Sequence, residues 1–183
     1  MLKHGIARKE KRPKQHDWLE NVQPSTSPAL NEEQIVAVEA VDKPGTYLLH
    51  GVTGAGKTEV YLELARRTLA KGQQVLVLVP EISLTPQLTR RFASRFGNSI
   101  AVLHSALTGA ERRQQWRRIQ LRQAEVVIGA RSATFAPFSN IGLIVVDEEH
   151  DDSFKQEEGV RYHARDLAVV MGHQRGCPVV LGS

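Results

Sequence analysis

Cysteine is almost missing from this sequence: Cys177 stands alone among 183 residues. A single cysteine excludes an intramolecular disulfide and any zinc site built from several cysteines, and it suits a reducing cytosol. Long apolar runs are missing as well. No stretch approaches the length needed to span a membrane, and the basic N-terminus lacks a following hydrophobic segment. These absences point to a cytoplasmic protein without a membrane partner. Internal repeats are also lacking. Hydrophobic residues make up 41% and charged residues 24%, ordinary values for a globular chain that can bury a core without staples. The formal net charge of +4 hints at an anionic partner, nucleic acid being the commonest, without establishing one.

Residues 1–28 differ from the rest. Lys3, Arg8, Lys9, Lys11, Arg12 and Lys14 crowd the start, and Pro24 to Pro28 reads as a linker. This segment is expected to be a solvated basic tail; a strap on DNA phosphates is the sharper alternative. From residue 29 to 183 short apolar runs alternate with amphipathic stretches. Strands are predicted at Thr46 to His50, Val75 to Val79, Ile100 to Leu103, Val126 to Gly129, Ile141 to Val146 and Val179 to Leu181. Helices are predicted from Thr58 to Lys71 before Gly72, and after the Thr85-Pro86 cap, with Leu88, Phe92 and Phe96 as a buried stripe. Thr108 and Glu111 form a capping box for a helix reaching about Leu121. Strands alternating with helices of this length imply right-handed crossovers and a mainly parallel α/β sheet flanked by helices.

The strongest chemical signal is Gly51-Val52-Thr53-Gly54-Ala55-Gly56-Lys57-Thr58, a full P-loop pattern placed between a predicted strand and a predicted helix. Its glycines let successive N–H groups turn toward phosphate oxygens, and the helix start adds its positive dipole end. In that pattern Lys57 reaches the β- and γ-phosphates of ATP, and the Thr58 hydroxyl meets Mg²⁺. The second signal is the apolar strand that ends in Asp147-Glu148-Glu149-His150. Carboxylates delivered at a strand's C-terminal end lie where the P-loop also opens. Asp147 is expected to hold Mg²⁺ and Glu148 to activate the attacking water. The expected catalytic set is therefore Lys57, Asp147 and Glu148.

The Asp147-to-His150 box resembles the DEAH type of superfamily 2 helicases, and other segments extend the likeness. Leu30 to Gln34 resembles the Q-type motif, in which Gln34 reads the adenine edge; an ordinary helix start is the competing reading. Val79 to Gln87 is similar to motif Ia, offering Thr85 and Gln87 to DNA. Gly129 to Ala133 is similar to motif Ib, with Arg131 as its phosphate contact, and His104-Ser105 falls on the same predicted rim. Taken with Gly51 to Tyr61, Ile128 to Phe138 and Asp147 to Ala168, these phrases resemble the primosomal replication-restart helicases over nearly everything from Leu30 to Ser183.

That resemblance implies a RecA-like P-loop NTPase lobe of an ATP-dependent 3′-to-5′ DNA helicase that acts in replication restart and primosome assembly. It implies ATP and Mg²⁺ as ligands. Single-stranded and forked DNA, other primosome proteins and single-stranded-DNA-binding protein are the implied partners. It also implies zinc in the longer protein, though the cysteines that would hold it are not in this sequence. Phe154 to Gly159 and Arg161 to Asp166 resemble the aromatic-rich loop that couples DNA binding to hydrolysis. There Lys155, Arg161 and Arg165 would meet phosphates, while Phe154 and Tyr162 either stack on bases or anchor the next helix in the core. Gly182-Ser183 resembles the first half of the motif that couples hydrolysis to strand movement. A second lobe with an arginine finger is expected to be needed for efficient hydrolysis.

Three other readings have specific counter-arguments. Arg112, Arg113, Arg117, Arg118 and Arg122 fall on more than one helix face, which favours a solvated surface over DNA contact, with Trp116 and Ile119 facing inward. A P-loop ATPase of non-helicase type is disfavoured by Gln34, the Asp147 box and the motif Ia-like segment. A non-catalytic nucleic-acid-binding module is disfavoured because Lys57, Thr58, Asp147 and Glu148 are all present.

Overall fold

The computed structural model describes residues 22–26, 28–52 and 54–183. Six parallel strands form the main sheet: β1 (Thr46–Leu49), β2 (Gln74–Leu78), β3 (Ile100–Leu103), β4 (Val126–Gly129), β5 (Ile141–Val146) and β8 (Val179–Gly182). Their spatial order is β1-β8-β5-β2-β4-β3. Two short strands, β6 (Lys155–Gln156) and β7 (Tyr162–His163), pair antiparallel in a separate hairpin. The sequence reading places every main strand to within a residue or two but does not foresee this hairpin.

Side-chain alternation builds three layers. Val75, Val77 and Val79 face one way, toward α1 (Glu32–Ala40), α2 (Lys57–Ala70) and α3 (Pro86–Phe96). Leu76 and Leu78 face the other, toward α4 (Gly109–Gln120) and α5 (Ala164–Arg175). Strands buried on both faces need apolar residues at every position, which is why β2 to β5 read as continuous apolar runs. Each fully buried valine or leucine contributes about 1.5–3 kcal/mol of transfer free energy. Phe92 is completely buried beneath α3, with Leu88 and Phe96 packed at its margin.

Helix starts follow the cap chemistry. Asn31 and Gln34 exchange reciprocal bonds at the start of α1, and Thr108 and Glu111 do the same for α4. Thr85 accepts from the Leu88 N–H ahead of Pro86 in α3. Helix α2 differs: Gly56, in the left-handed region, precedes it and supplies no side-chain cap. Its first amides are left for the loop in front of it.

One buried polar group organises the far edge. Gln74, wholly buried at the start of β2, donates its amide to the carbonyls of Ile119 (3.0 Å) and Ala124 (3.4 Å). Its oxygen accepts from the backbone N–H groups of Ser139 (2.9 Å) and Asn140 (3.2 Å). Beside it the β2–β5 register slips by one residue, between the pairs Gln74–Ile141 and Val75–Leu143.

Two expectations change here. Ile119 is buried, but Trp116 is 38% exposed, because α4 turns only a narrow stripe to the sheet. Most of the basic segment 1–28 lies outside the described residues. Within its described part, Val22 packs on the core and Ser25 N–H donates to the Ser94 carbonyl at 3.0 Å, so the expected linker touches α3.

Candidate nucleotide site

The parallel sheet brings the expected chemistry to one edge. The P-loop follows β1, the acidic box follows β5, and β8 lies between those two strands. Gly182 and Ser183, at the end of β8, therefore sit between the two halves of the site. Gly51 N–H donates to the Ser183 carbonyl at 3.0 Å, and Glu149 N–H donates to the Gly182 carbonyl at 2.8 Å.

Of the P-loop, Thr53 lies outside the described residues. Val52 is exposed, and the Ala55 N–H donates to its carbonyl at 3.0 Å. Gly54 has φ +87°, and no atom lies within 4 Å of where a Cβ would stand. Gly56 has φ +82°, and a Cβ there would lie 2.4 Å from the Gln34 amide nitrogen, so the loop requires glycine. The Lys57 ammonium donates to the carbonyls of Gly51 (2.7 Å) and Ser183 (3.0 Å) and lies 3.8 Å from Glu148. Thr58 is the second residue of α2 and is half-buried. An open glycine cradle, uncapped helix amides and one largely sequestered cation fit a phosphate-bearing ligand.

Gln34 sits against this loop. Its oxygen accepts from the Asn31 N–H at 3.0 Å, and its amide donates to the Gly56 carbonyl at 3.3 Å. Both ends of the side chain are thus engaged in joining the α1 cap to the P-loop.

Asp147 and Glu148 occupy a tight turn. The Asp147 N–H donates to the Leu78 carbonyl at 2.8 Å, so the turn is held by β2 on one side and β8 on the other. Glu148 takes φ +48°, a left-handed conformation costing a non-glycine residue about 1–2 kcal/mol. The flanking backbone bonds hold it there. Its carboxylate faces Lys57 and lies 3.7 Å from the His150 ring. Burial pushes the Asp147 carboxyl above its ordinary range, and the Tyr61 hydroxyl, which donates to it at 2.9 Å, works against that shift. An oxygen-rich turn of this kind, with Thr58 across the loop, suits a hard divalent cation.

The expected DNA contacts also follow strand ends. Thr85 and Gln87 begin α3 after β2, His104 follows β3, Arg131 follows β4, and Lys155 and Arg161 follow β5. The Ser105 N–H donates to the Glu81 carboxylate at 3.1 Å, which joins two of these loops. Burial lowers the basicity of His104. The Arg131 guanidinium is turned to the carbonyls of Ser153 and Lys155, so it fastens the hairpin. Lys155 pairs with Asp152, and Arg165 pairs with Glu149 at 3.0 Å. Arg161 and Gln87 are exposed. The two aromatics part ways: Phe154 is fully buried in the core, whereas half-buried Tyr162 meets Phe135 edge-on at 5.1 Å.

The sequence assigns Tyr61 no role in the site, and it offers Gly182 only as half of a coupling motif, without its contact to Tyr61 and Asp147. These contacts carry no local signal, because they lie across 86 residues for Tyr61–Asp147 and across three elements for Gly182.

Known proteins share this sequence and architecture. The chain is 51% identical over 160 residues to the replication restart protein PriA of Bacillus subtilis, covering 84% of this chain and 20% of that protein. It is 50% identical over 157 residues to PriA of Haemophilus influenzae, covering 84% and 22% respectively. The chain thus spans about a fifth of the length of these curated relatives. Among solved structures, RecG bound to a three-way DNA junction matches with a TM-score of 0.63 at 24% identity, over 91% of this chain and 22% of that one. The UvsW helicase of bacteriophage T4 matches at 0.60 and 20% identity, over 91% and 58%. These two likenesses establish the RecA-like fold alone. A family model for the DEAD/DEAH box helicases matches residues 31–183, and the chain belongs to that family.

Proposed function

We propose that residues 29–183 are the ATP-binding motor lobe of an ATP-dependent 3′-to-5′ DNA helicase acting in replication restart and primosome assembly. The observation that carries this reading is the meeting of Lys57, Glu148 and the Ser183 carbonyl at adjacent strand ends, with Asp147 in the same turn. Gly51 to Thr58 would cradle the phosphates, with Thr53 among the contributing backbone groups, and Gln34 would give up its 3.3 Å bond to the Gly56 carbonyl to turn its amide to the adenine. Thr58 and Asp147 would hold Mg²⁺, which neutralises phosphate charge when bound. Lys57 would exchange its two carbonyls for phosphate oxygens, and Glu148 would orient the attacking water and accept its proton.

Single-stranded and forked DNA would cross the loops bearing Thr85, Gln87, His104, Arg131, Lys155 and Arg161. Other primosome proteins and single-stranded-DNA-binding protein belong to the same proposal, as does a cytoplasmic location. Among the described residues no helix is long and apolar enough to cross a membrane. Zinc, implied for the longer relatives, would need cysteines other than buried Cys177.

An arginine finger contributes about 10³–10⁵ in rate in related phosphoryl-transfer enzymes, and on this reading it comes from a second lobe. The lobe is therefore expected to bind nucleotide but turn it over poorly. ATP turnover with and without single-stranded DNA, with Glu148→Gln as the blank, tests this. Binding that needs Lys57, with turnover near the blank, is the expected result. Absence of nucleotide binding at millimolar ATP would remove the proposal.

A further inference from the structure

Tyr61 is 2% exposed, lies on α2 one turn beyond Thr58, and is absent from the roles assigned above. A phenol this deeply buried costs free energy unless its hydroxyl finds a partner. Here the partner is Oδ1 of Asp147, 2.9 Å away. The neighbouring backbone is shaped around that bond. A Cβ on Gly182 would stand 1.9 Å from the Tyr61 hydroxyl oxygen and 3.0 Å from Asp147 Oδ1. Helix α2, the end of β5 and the end of β8 thus converge on one hydrogen bond.

We propose that Tyr61 is a positioning residue for the divalent cation: its hydroxyl fixes one oxygen of Asp147, so that the carboxylate meets Mg²⁺ already oriented. The inference rests on the reading of Asp147 as the Mg²⁺-holding carboxylate. A single phenolic hydrogen can occupy only one of the carboxylate's several lone pairs, which leaves others for a cation. Because Thr58 and Tyr61 share one helix, a shift of α2 would move both together. Groups that orient a metal-binding carboxylate typically affect metal affinity about 10–100-fold.

The test is a titration of a fluorescent ATP analogue into the chain, in EDTA and across a range of Mg²⁺ concentrations. Wild type, Tyr61→Phe, Asp147→Asn and the double variant are compared. Tyr61→Phe keeps the buried ring, and a urea unfolding curve checks its fold. The expected result is unchanged affinity in EDTA, a Mg²⁺ midpoint raised about tenfold or more, and no further shift when Tyr61→Phe is added to Asp147→Asn. A midpoint within twofold of wild type would overturn the inference alone and leave Tyr61 a core residue. A wild type indifferent to Mg²⁺ would overturn the assignment of Asp147 and the inference together. Should Tyr61→Phe fail to fold, the paired variant Tyr61→Phe/Gly182→Ala asks the same question, since the added methyl group fills the space that the hydroxyl vacates. The same Mg²⁺ shift supports the proposal, and an unchanged midpoint overturns it.

Discussion

Replacing Lys57 by methionine removes an ammonium that the protein holds 2.7 Å from the Gly51 carbonyl and 3.0 Å from the Ser183 carbonyl. A nucleotide must compete with both bonds, so the lysine contributes to affinity only the difference between phosphate and carbonyl acceptors. Hydrogen bonds to charged groups are each worth about 1.5–3 kcal/mol. Two such bonds gained against two given up leave a net of about one, because only the phosphate acceptors are themselves charged. The expected loss in affinity is then roughly 10- to 150-fold, at about 1.4 kcal/mol per factor of ten. Methionine keeps an apolar stem in place of the lysine's, so packing is little disturbed. Fluorescence titration of a nucleotide analogue reads the affinity, and urea unfolding shows whether the fold survives. Affinity within threefold of wild type in a folded Lys57→Met chain would refute the reasoning, since the ammonium would then gain nothing by leaving its carbonyls.

Three further perturbations test other parts of the structure. Gln74→Leu deletes a buried hub serving two carbonyls and two N–H groups, each orphaned group costing about 1–3 kcal/mol, so denaturant unfolding should show a loss of several kcal/mol. Phe154→Ala should cost about 3–5 kcal/mol because the ring is wholly buried, while Tyr162→Ala should cost clearly less. Glu63 is held at a pKa of about 2, against an ordinary 4.5, first by its hydrogen bond to Arg66 and then by Arg67. A depressed carboxylate stabilises the fold above its ordinary pKa and loses that contribution as pH falls toward the folded value. Wild-type stability should therefore decline between about pH 4.5 and 2 more than that of Glu63→Gln, by about 1 kcal/mol or less for a surface pair, and parallel pH profiles would contradict it.

The P-loop and the acidic box were legible because each is written in consecutive residues whose backbone needs are local. The strands of the main sheet were legible for a related reason: layers on both faces demand unbroken apolar runs, and Ile100 to Leu103 and Ile141 to Val146 are such runs. Phe154 was ambiguous because a phenylalanine beside Lys155 suits a base-stacking loop as well as a core edge, and only burial separates the two. For Arg131 and Arg165, expected to meet phosphates, no local pattern gives the contacts they make within the protein. Their partners, the carbonyls of Ser153 and Lys155 and the carboxylate of Glu149, come from segments 16 to 24 residues away. The β6–β7 hairpin escaped notice because two-residue strands leave no periodicity.

The placement of β8 explains why residues distant in sequence matter to one site. Strand order puts β8 between β1 and β5, so the P-loop and the acidic turn do not adjoin; each hydrogen-bonds to the end of β8 instead. Ser183 takes the Gly51 N–H and the Lys57 ammonium, while the Gly182 carbonyl takes the Glu149 N–H. Any movement of Gly182-Ser183 along the strand axis must therefore disturb both halves together, and Lys57, bonded to Ser183 and facing Glu148, spans the gap between them. Gly182 has no side chain because the Tyr61–Asp147 bond occupies the space a side chain would take. The strained backbone of Glu148 sits between these contacts, fixed on one side by β2 and on the other by β8. A left-handed glutamate persists only where its neighbours over-determine it. Ser183→Pro removes the N–H that Ser183 donates to the Leu49 carbonyl at 3.1 Å and so loosens the end of β8 that carries both accepting carbonyls; it should therefore weaken nucleotide binding in the fluorescence titration, whereas Arg113→Ala on the exposed face of α4 should leave it unchanged.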